Sequence, residues 1–323
     1  SALQLMPGEH IGCIGCHESR QTALAVTTQM PLALRHAPRQ LQRPPWTHDG
    51  IVDFPRVVQP VLDKYCVQCH SGANPDGGYD LSGDKTRFFN MAYDNLLGRS
   101  RSYRQHDMAQ GGMLADEQAK GKPLVHFYWL LRTPTAVNQP LWSGSHASRL
   151  PEYIEGYHCG RSVAEEDRRR IYLWIDANVP YYGTYAHSRP HSPGKRDLAT
   201  DVATGRPAEW FAKSFLGVYN RRCADCHGKY PEPNDHGAIW DGRLAWLNFT
   251  HPAHSPALTA HLARSAGGRG ITTPQDGRIP PQFESTADPD YVTILAAIEE
   301  GKRQAEKMPT ADMPGFCGAR PEP

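Results

Sequence analysis

Three stretches of this chain carry two cysteines and a histidine at one spacing: Cys13-Ile14-Gly15-Cys16-His17, Cys66-Val67-Gln68-Cys69-His70 and Cys223-Ala224-Asp225-Cys226-His227. Thiols three positions apart reach the two vinyl groups of one haem, and the histidine that follows supplies an axial nitrogen to its iron. With only 8 Cys and 16 His in 323 residues, three copies are not a chance pattern. Zinc asks for four ligands in a tetrahedron, and adjacent Cys and His residues chelate one ion poorly. A dithiol redox pair leaves the histidine after every copy unexplained. The reading is three covalently attached haem c groups. Cys13, Cys16, Cys66, Cys69, Cys223 and Cys226 attach them, and His17, His70 and His227 are the proximal ligands.

Each iron then needs a group on its other face. A weak internal repeat nominates two. Ser145-His146-Ala147-Ser148-Arg149-Leu150 and Ala253-His254-Ser255-Pro256-Ala257-Leu258 each follow a haem motif and a Gly/Asp/Pro-rich run, with leucine four residues after the histidine. His146 and His254 are thus the expected distal ligands of the second and third haems, against the alternative of solvated histidines that open a helix. For the first haem His158 is favoured over His126, His106 and His10, because it adjoins Cys159 ahead of a well-marked helix. Met308 and Met313, each before a proline, are thioether candidates against the plainer reading of packed methionines. His36 and His48 read as loop histidines. Asp76, Asp80 and Asp84 lie in one turn-rich run and can gather calcium, but the spacing lacks the EF-hand pattern, and solvated turn residues are the alternative.

Elements must hold these groups in place. The 29 Gly and 28 Pro, with 39% hydrophobic residues, describe a loop-rich chain with a thin apolar core, in which buried porphyrin faces replace missing side-chain surface. The expected fold is mostly α with much irregular loop structure, built as c-type cytochrome-like haem domains. Residues 1–50 form an N-terminal segment with the first haem, its Pro-rich part running extended over the rest of the protein. Residues 51–185 form the second haem's domain. Asp53 caps a helix with Pro55 in its first turn, Pro60 kinks or delays it, and Val57, Val58, Val61, Leu62 and Tyr65 give it an apolar side leading into Cys66. Ser162-Val163-Ala164-Glu165 is a capping box for a helix ending near Asn178. Residues 186–206 read as a linker and 207–323 as the third haem's domain. There Trp210, Phe211, Phe215, Val218 and Tyr219 lead into Cys223, and a later helix is bracketed by Asp288-Pro289 and Gly301.

The formal charge of +1 gives no field for nucleic acid or membrane lipid, and no apolar run is long enough to span a bilayer. Covalent haem implies maturation in an oxidising compartment, where Cys159 and Cys317 can form a disulfide; free thiols or an intermolecular bridge are the alternatives. The chain is expected to be a mature periplasmic or extracellular form with its leader removed.

Several stretches resemble the haem-bearing C-terminal region of hydrazine synthase alpha-subunit-related proteins, a secreted multihaem family best known from planctomycetes. They are Val58-Gln59-Pro60-Val61-Leu62-Asp63-Lys64-Tyr65-Cys66, Gly78-Tyr79-Asp80-Leu81-Ser82-Gly83-Asp84, Gly144-Ser145-His146-Ala147-Ser148-Arg149-Leu150, the run from Trp174 to Tyr185, and Asp312-Met313-Pro314-Gly315-Phe316. The resemblance covers nearly the whole chain and implies haem domains and export. Family members usually carry a β-propeller ahead of this region, and no stretch here reads as one. In hydrazine synthase the iron of the first haem is held by a tyrosine four residues beyond the motif histidine. Gln21 stands at that position, which returns His17 to the role of proximal ligand.

The leading expectation is a secreted triheme cytochrome passing electrons between redox proteins. Two rivals are a haem enzyme with one open iron, hydrazine synthase-like or peroxidase-like, and a structural subunit of an extracellular haem polymer, a homo-oligomer or filament.

Overall fold

A computed structural model describes residues 42–47, 50–98, 124–127, 143–184, 208–224, 246–270 and 281–316, with residues 37, 40 and 141. Among these residues the fold is mostly α. No strand forms, and the bridges Lys85–Asn90 and Leu262–Phe283 are isolated. Most of the buried apolar residues fall into two clusters, one drawn from residues 54–181 and one from 211–305.

The first cluster grows from Asp53. Its side chain accepts the Arg56 N–H at 2.8 Å, and Pro55 occupies the first turn, where a missing N–H costs nothing. Phe54–Val58 is wound as a π-helix and passes directly into α1, Gln59–Tyr65. Pro60 has no N–H to donate one turn back, and the helix continues through it. Phe54 is fully buried, its ring centroid 5.0 Å from Trp174 and 5.2 Å from Tyr93. Helices α2 (Met91–Gly98), α3 (Leu150–Glu155) and α4 (Glu165–Asp176) complete the unit. Trp46, from the N-terminal segment, packs on its core.

The capping box is not used. Helix α4 begins at Glu165 with Ala164 in the cap position and no side-chain cap bond. A tertiary partner replaces it: the Tyr65 hydroxyl accepts the Ala164 N–H at 3.4 Å and donates to Asp167 Oδ2 at 3.0 Å. The helix closes as expected beside Asn178, whose φ of 67° is a left-handed value asparagine tolerates.

The second cluster repeats the plan. Phe211–Leu216 is again π-wound and runs into α5, Gly217–Arg222, which ends at Cys223. Phe54 and Phe211 stand at the same offset from their motif cysteines, as do Val61 and Val218, and Leu62 and Tyr219; all six are buried. A short helix α6 (Pro256–Thr259) and the long α7 (Pro289–Lys307) follow. Asp288 caps α7, accepting from the N–H groups of Asp290 and Tyr291. Gly301 does not end α7. It lies inside the helix, buried, where a Cβ would come within 2.2 Å of the Phe249 ring. The glycine is there for close approach, not for termination.

The two units meet along a polar seam. Phe249 N–H donates to the Lys85 carbonyl at 2.7 Å, and Lys85 N–H to Thr250 Oγ1 at 2.8 Å. Lys85 Nζ and the Tyr181 hydroxyl both bind Asp312 Oδ2, at 2.8 and 2.5 Å. Asp84 Oδ2 takes Asn248 Nδ2 and His251 Nδ1, each at 2.7 Å.

Candidate functional site

Helix α1 delivers the second motif. Cys66 N–H still donates to the Leu62 carbonyl at 2.7 Å, and the N–H groups of Cys69 and His70 fold back onto the Cys66 carbonyl at 3.1 and 3.0 Å. That turn sets both cysteines at the end of a half-buried helix, Cys69 exposed and Cys66 partly covered. Burial pushes the Cys66 thiol up to about 11, with Arg161 acting against the shift and Cys69 adding to it. The thiol is therefore neutral at neutral pH.

His70 is oriented from behind. Its Nδ1 lies 3.0 Å from the Asp76 carbonyl oxygen. A carbonyl only accepts, so the proton is on Nδ1 and the lone pair on Nε2, the tautomer a metal-binding imidazole needs. Asp76 itself is held by its N–H donating to the Cys69 carbonyl, and Leu81 N–H donates to the His70 carbonyl at 2.7 Å. The turn-rich run after the motif thus fixes the ring. These residues fit a covalent haem: two thiols on a rigid turn and a tautomer-fixed imidazole. Among the described residues no group of three or more His, Cys, Asp and Glu side chains is gathered to hold a metal ion alone, the calcium trio Asp76, Asp80 and Asp84 included. Asp80 Oδ1 accepts the Ser82 N–H, and Asp84 serves the seam. Burial raises the Asp80 carboxyl pKa and the charge of Asp84 adds to it, while Ser82 and a positive charge on His254 act the other way.

The expected distal residues separate. His146 is exposed on a 3-10 turn, Ser145–Ala147. Ser145 donates its N–H and hydroxyl to the two oxygens of Asp176, at 2.8 and 3.0 Å, which fastens that turn to the C-terminal end of α4. The motif is fastened to the other end, since Lys64 and Tyr65 bind Asp167. The two ends lie roughly 13 Å apart at 1.5 Å per residue. His158, nominated for the first motif, stands instead against the second. Its ring centroid is 6.2 Å from that of His70, with the planes inclined by 20°. His126 is buried in the first unit, its N–H on Ser148 Oγ. His254 lies on the seam, its ring 5.3 Å from His251. Met308 is exposed at the end of α7, and Met313 packs on the second core.

Cys223 ends α5 as Cys66 ends α1. Cys13, Cys16, His17, Cys226, His227, His10, His36, His48, His106 and Cys317 lie outside the described residues, so the first motif, the rest of the third and the Cys159–Cys317 pairing are not described. Cys159 is an exposed thiol, Sγ 3.6 Å from His158 Nε2.

Two features escaped the sequence reading. One is the Asp76 carbonyl behind His70, which no residue type announces because it is backbone. The other is the residue just before the first cysteine of the second and third motifs. Tyr65 binds Asp167, and Arg222 binds Asp288 and Asp290, so each ties its motif helix to the first turn of a later helix. The acidic first turns of α4 and α7 were the available signal. No protein-family model, curated protein or solved structure matches this chain. No helix among the described residues is long and apolar enough to cross a membrane.

Proposed function

We propose that this chain is a triheme c-type cytochrome that passes electrons between redox proteins outside the cytoplasm. The observation that carries the reading is the His70 arrangement: Nδ1 tied to the Asp76 carbonyl, Nε2 left for an iron, two thiols beside it on a rigid turn. The π-to-α helix that presents them is built again ahead of Cys223. Haem bound there supplies one-electron chemistry. The chain's own residues orient the His70 imidazole, present Cys66 and Cys69 for attachment, and tie the unit that carries them to the unit that carries Cys223 across the Asp84–Lys85 seam. The resemblance to the haem-bearing region of hydrazine synthase alpha-related proteins points the same way, while Gln21 argues against that enzyme's reaction.

The test is to express the chain with a c-type haem maturation system and measure covalent haem by intact mass and the pyridine haemochrome spectrum. Three haems per chain, reversibly reduced and reoxidised, is the expected result. A chain free of haem that binds stoichiometric zinc overturns the proposal.

A further inference from the structure

Resting on that haem reading, we infer that His158 is the second axial ligand of the haem attached at Cys66 and Cys69, which makes that iron bis-histidine. An imidazole nitrogen sits about 2.0 Å from a first-row metal, so imidazoles on opposite faces of one iron place their ring centroids roughly 6 Å apart. His70 and His158 are 6.2 Å apart by that measure and within 20° of parallel. Ordinary ring pairs also stand roughly 4.5–7 Å apart, so the distance is joined by a second observation, the way the His158 loop is fastened to the motif.

The loop that carries His158 is built against the motif. The Arg161 guanidinium hydrogen-bonds the Gln68 side chain, which lies between the two cysteines. Tyr153 meets the His158 ring edge-on, centroids 5.3 Å apart, and Arg149 in turn binds the Tyr153 hydroxyl. Cys159 and Gly160 both take positive φ, 49° and 76°, and the reversal directs the chain from His158 back to Arg161. His158 and Tyr157 are nonetheless exposed, Tyr157 by 78%, and a porphyrin plane seated between the two imidazoles would cover part of this surface. His146 stands on a turn fastened to the opposite end of α4.

The experiment compares the full haem-loaded chain with His158→Ala, His158→Met, His146→Ala and Cys159→Ser. Covalent haem is counted first in every sample. Expected are three haems in each. In His158→Ala, carbon monoxide shifts about one third of the reduced haem absorbance beyond the wild-type response. In His158→Met, one bis-histidine signal in the ferric electron paramagnetic resonance and near-infrared spectra gives way to a histidine–methionine signal, and one haem titrates at a higher potential. His146→Ala and Cys159→Ser leave the signal of this haem unchanged. Wild-type spectra from His158→Ala and His158→Met with all three haems present overturn the ligand assignment and leave the cytochrome reading standing. Loss of the bis-histidine signal in His146→Ala or Cys159→Ser, but not in the His158 variants, overturns it as well. A wild-type chain that takes up no covalent haem overturns both.

Discussion

The path from Phe54 to Cys66 and the path from Phe211 to Cys223 share their winding, their buried positions and their destination, but they are fastened by different chemistry. In the first, the Tyr65 hydroxyl donates to Asp167 beside Lys64, whose side chain is 60% exposed. In the second, Arg222 at the same position gives Nε to Asp290 at 2.6 Å, Nη1 to the Gln282 carbonyl at 2.6 Å and Nη2 to Asp288 at 3.1 Å. An exposed ammonium adds little, whereas a guanidinium fork with three acceptors adds more. The repeated requirement is therefore geometric. The residue before the first cysteine must tie the motif helix to the first turn of a later helix, and either a phenol or a guanidinium serves. A second repeated device lies behind it: Ser148 Oγ takes the His126 N–H, and Ser255 Oγ takes the Asn248 N–H, each ahead of a buried leucine, Leu150 or Leu258.

If the two units are one plan, their matching phenylalanines should fail alike, and in proportion to packing. Phe54 is 0% exposed and meets Trp174, Tyr93 and Tyr181, while Phe211 is 6% exposed and stacks on Phe215. Phe54→Ala is expected to cost about 4 kcal/mol and Phe211→Ala about 3 kcal/mol, from lost transfer energy and the cavity left behind. Urea denaturation of the haem-loaded chain, followed by tryptophan fluorescence and the Soret band, measures both. A cost below about 1 kcal/mol at either position would break the equivalence.

The next effect is specific to one unit. Gly301→Ala places a methyl against Phe249 at a distance no packed pair tolerates. Overpacking is expected to outweigh the roughly 1 kcal/mol gain in helix propensity and leave a net loss of about 2 kcal/mol. A rise in melting temperature would mean that α7 is not pressed on Phe249, and that the glycine ends the helix as its residue type suggests.

The local signals in the sequence were accurate where short-range physics decides. The Asp53 and Asp288 caps, the apolar face leading into Cys66 and Asn178 at the end of α4 are all matters of a few adjacent residues. The misreadings come from tertiary partners. Ser162 loses its cap to Tyr65, which is distant in sequence, and Gly301 is required by Phe249. The same limit governs the site. The motif spacing is visible in the chain, but the side chains that face His70 are those the fold brings there. A histidine-to-leucine spacing pointed to His146, on a turn fastened to the far end of α4, whereas nothing local announced that the loop reversal at Cys159 sets His158 beside His70.

The smallest expected difference returns to the two fastenings and has a definite pH signature. Desolvation works against ionisation of Asp290, but bonds from Arg221 and Arg222 more than offset it and hold the carboxyl below its usual range. Asp167 is likewise desolvated and likewise lowered, by Lys64, Tyr65 and the charge of Arg170. A carboxyl whose folded-state pKa is depressed contributes stability that is fully present above its unfolded value, near 3.9, and lost as pH falls through the folded value. Asp290→Asn should therefore cost about 1.5 kcal/mol at pH 7 and Asp167→Asn about 1 kcal/mol, since the latter keeps the neutral Tyr65 donor and loses an exposed ammonium and a guanidinium 3.7 Å away, beyond hydrogen-bond reach. Both differences from wild type should close as pH drops below about 4. Added salt should shrink both differences, because each carboxylate faces two cations, Lys64 and Arg170 at Asp167 and Arg221 and Arg222 at Asp290. Denaturation midpoints at pH 7 and pH 3, at low and high salt, decide the matter. A deficit that persists unchanged at pH 3 would show that these aspartates act through packing and not charge, and the phenol and the guanidinium would then be equivalent in energy as well as in place.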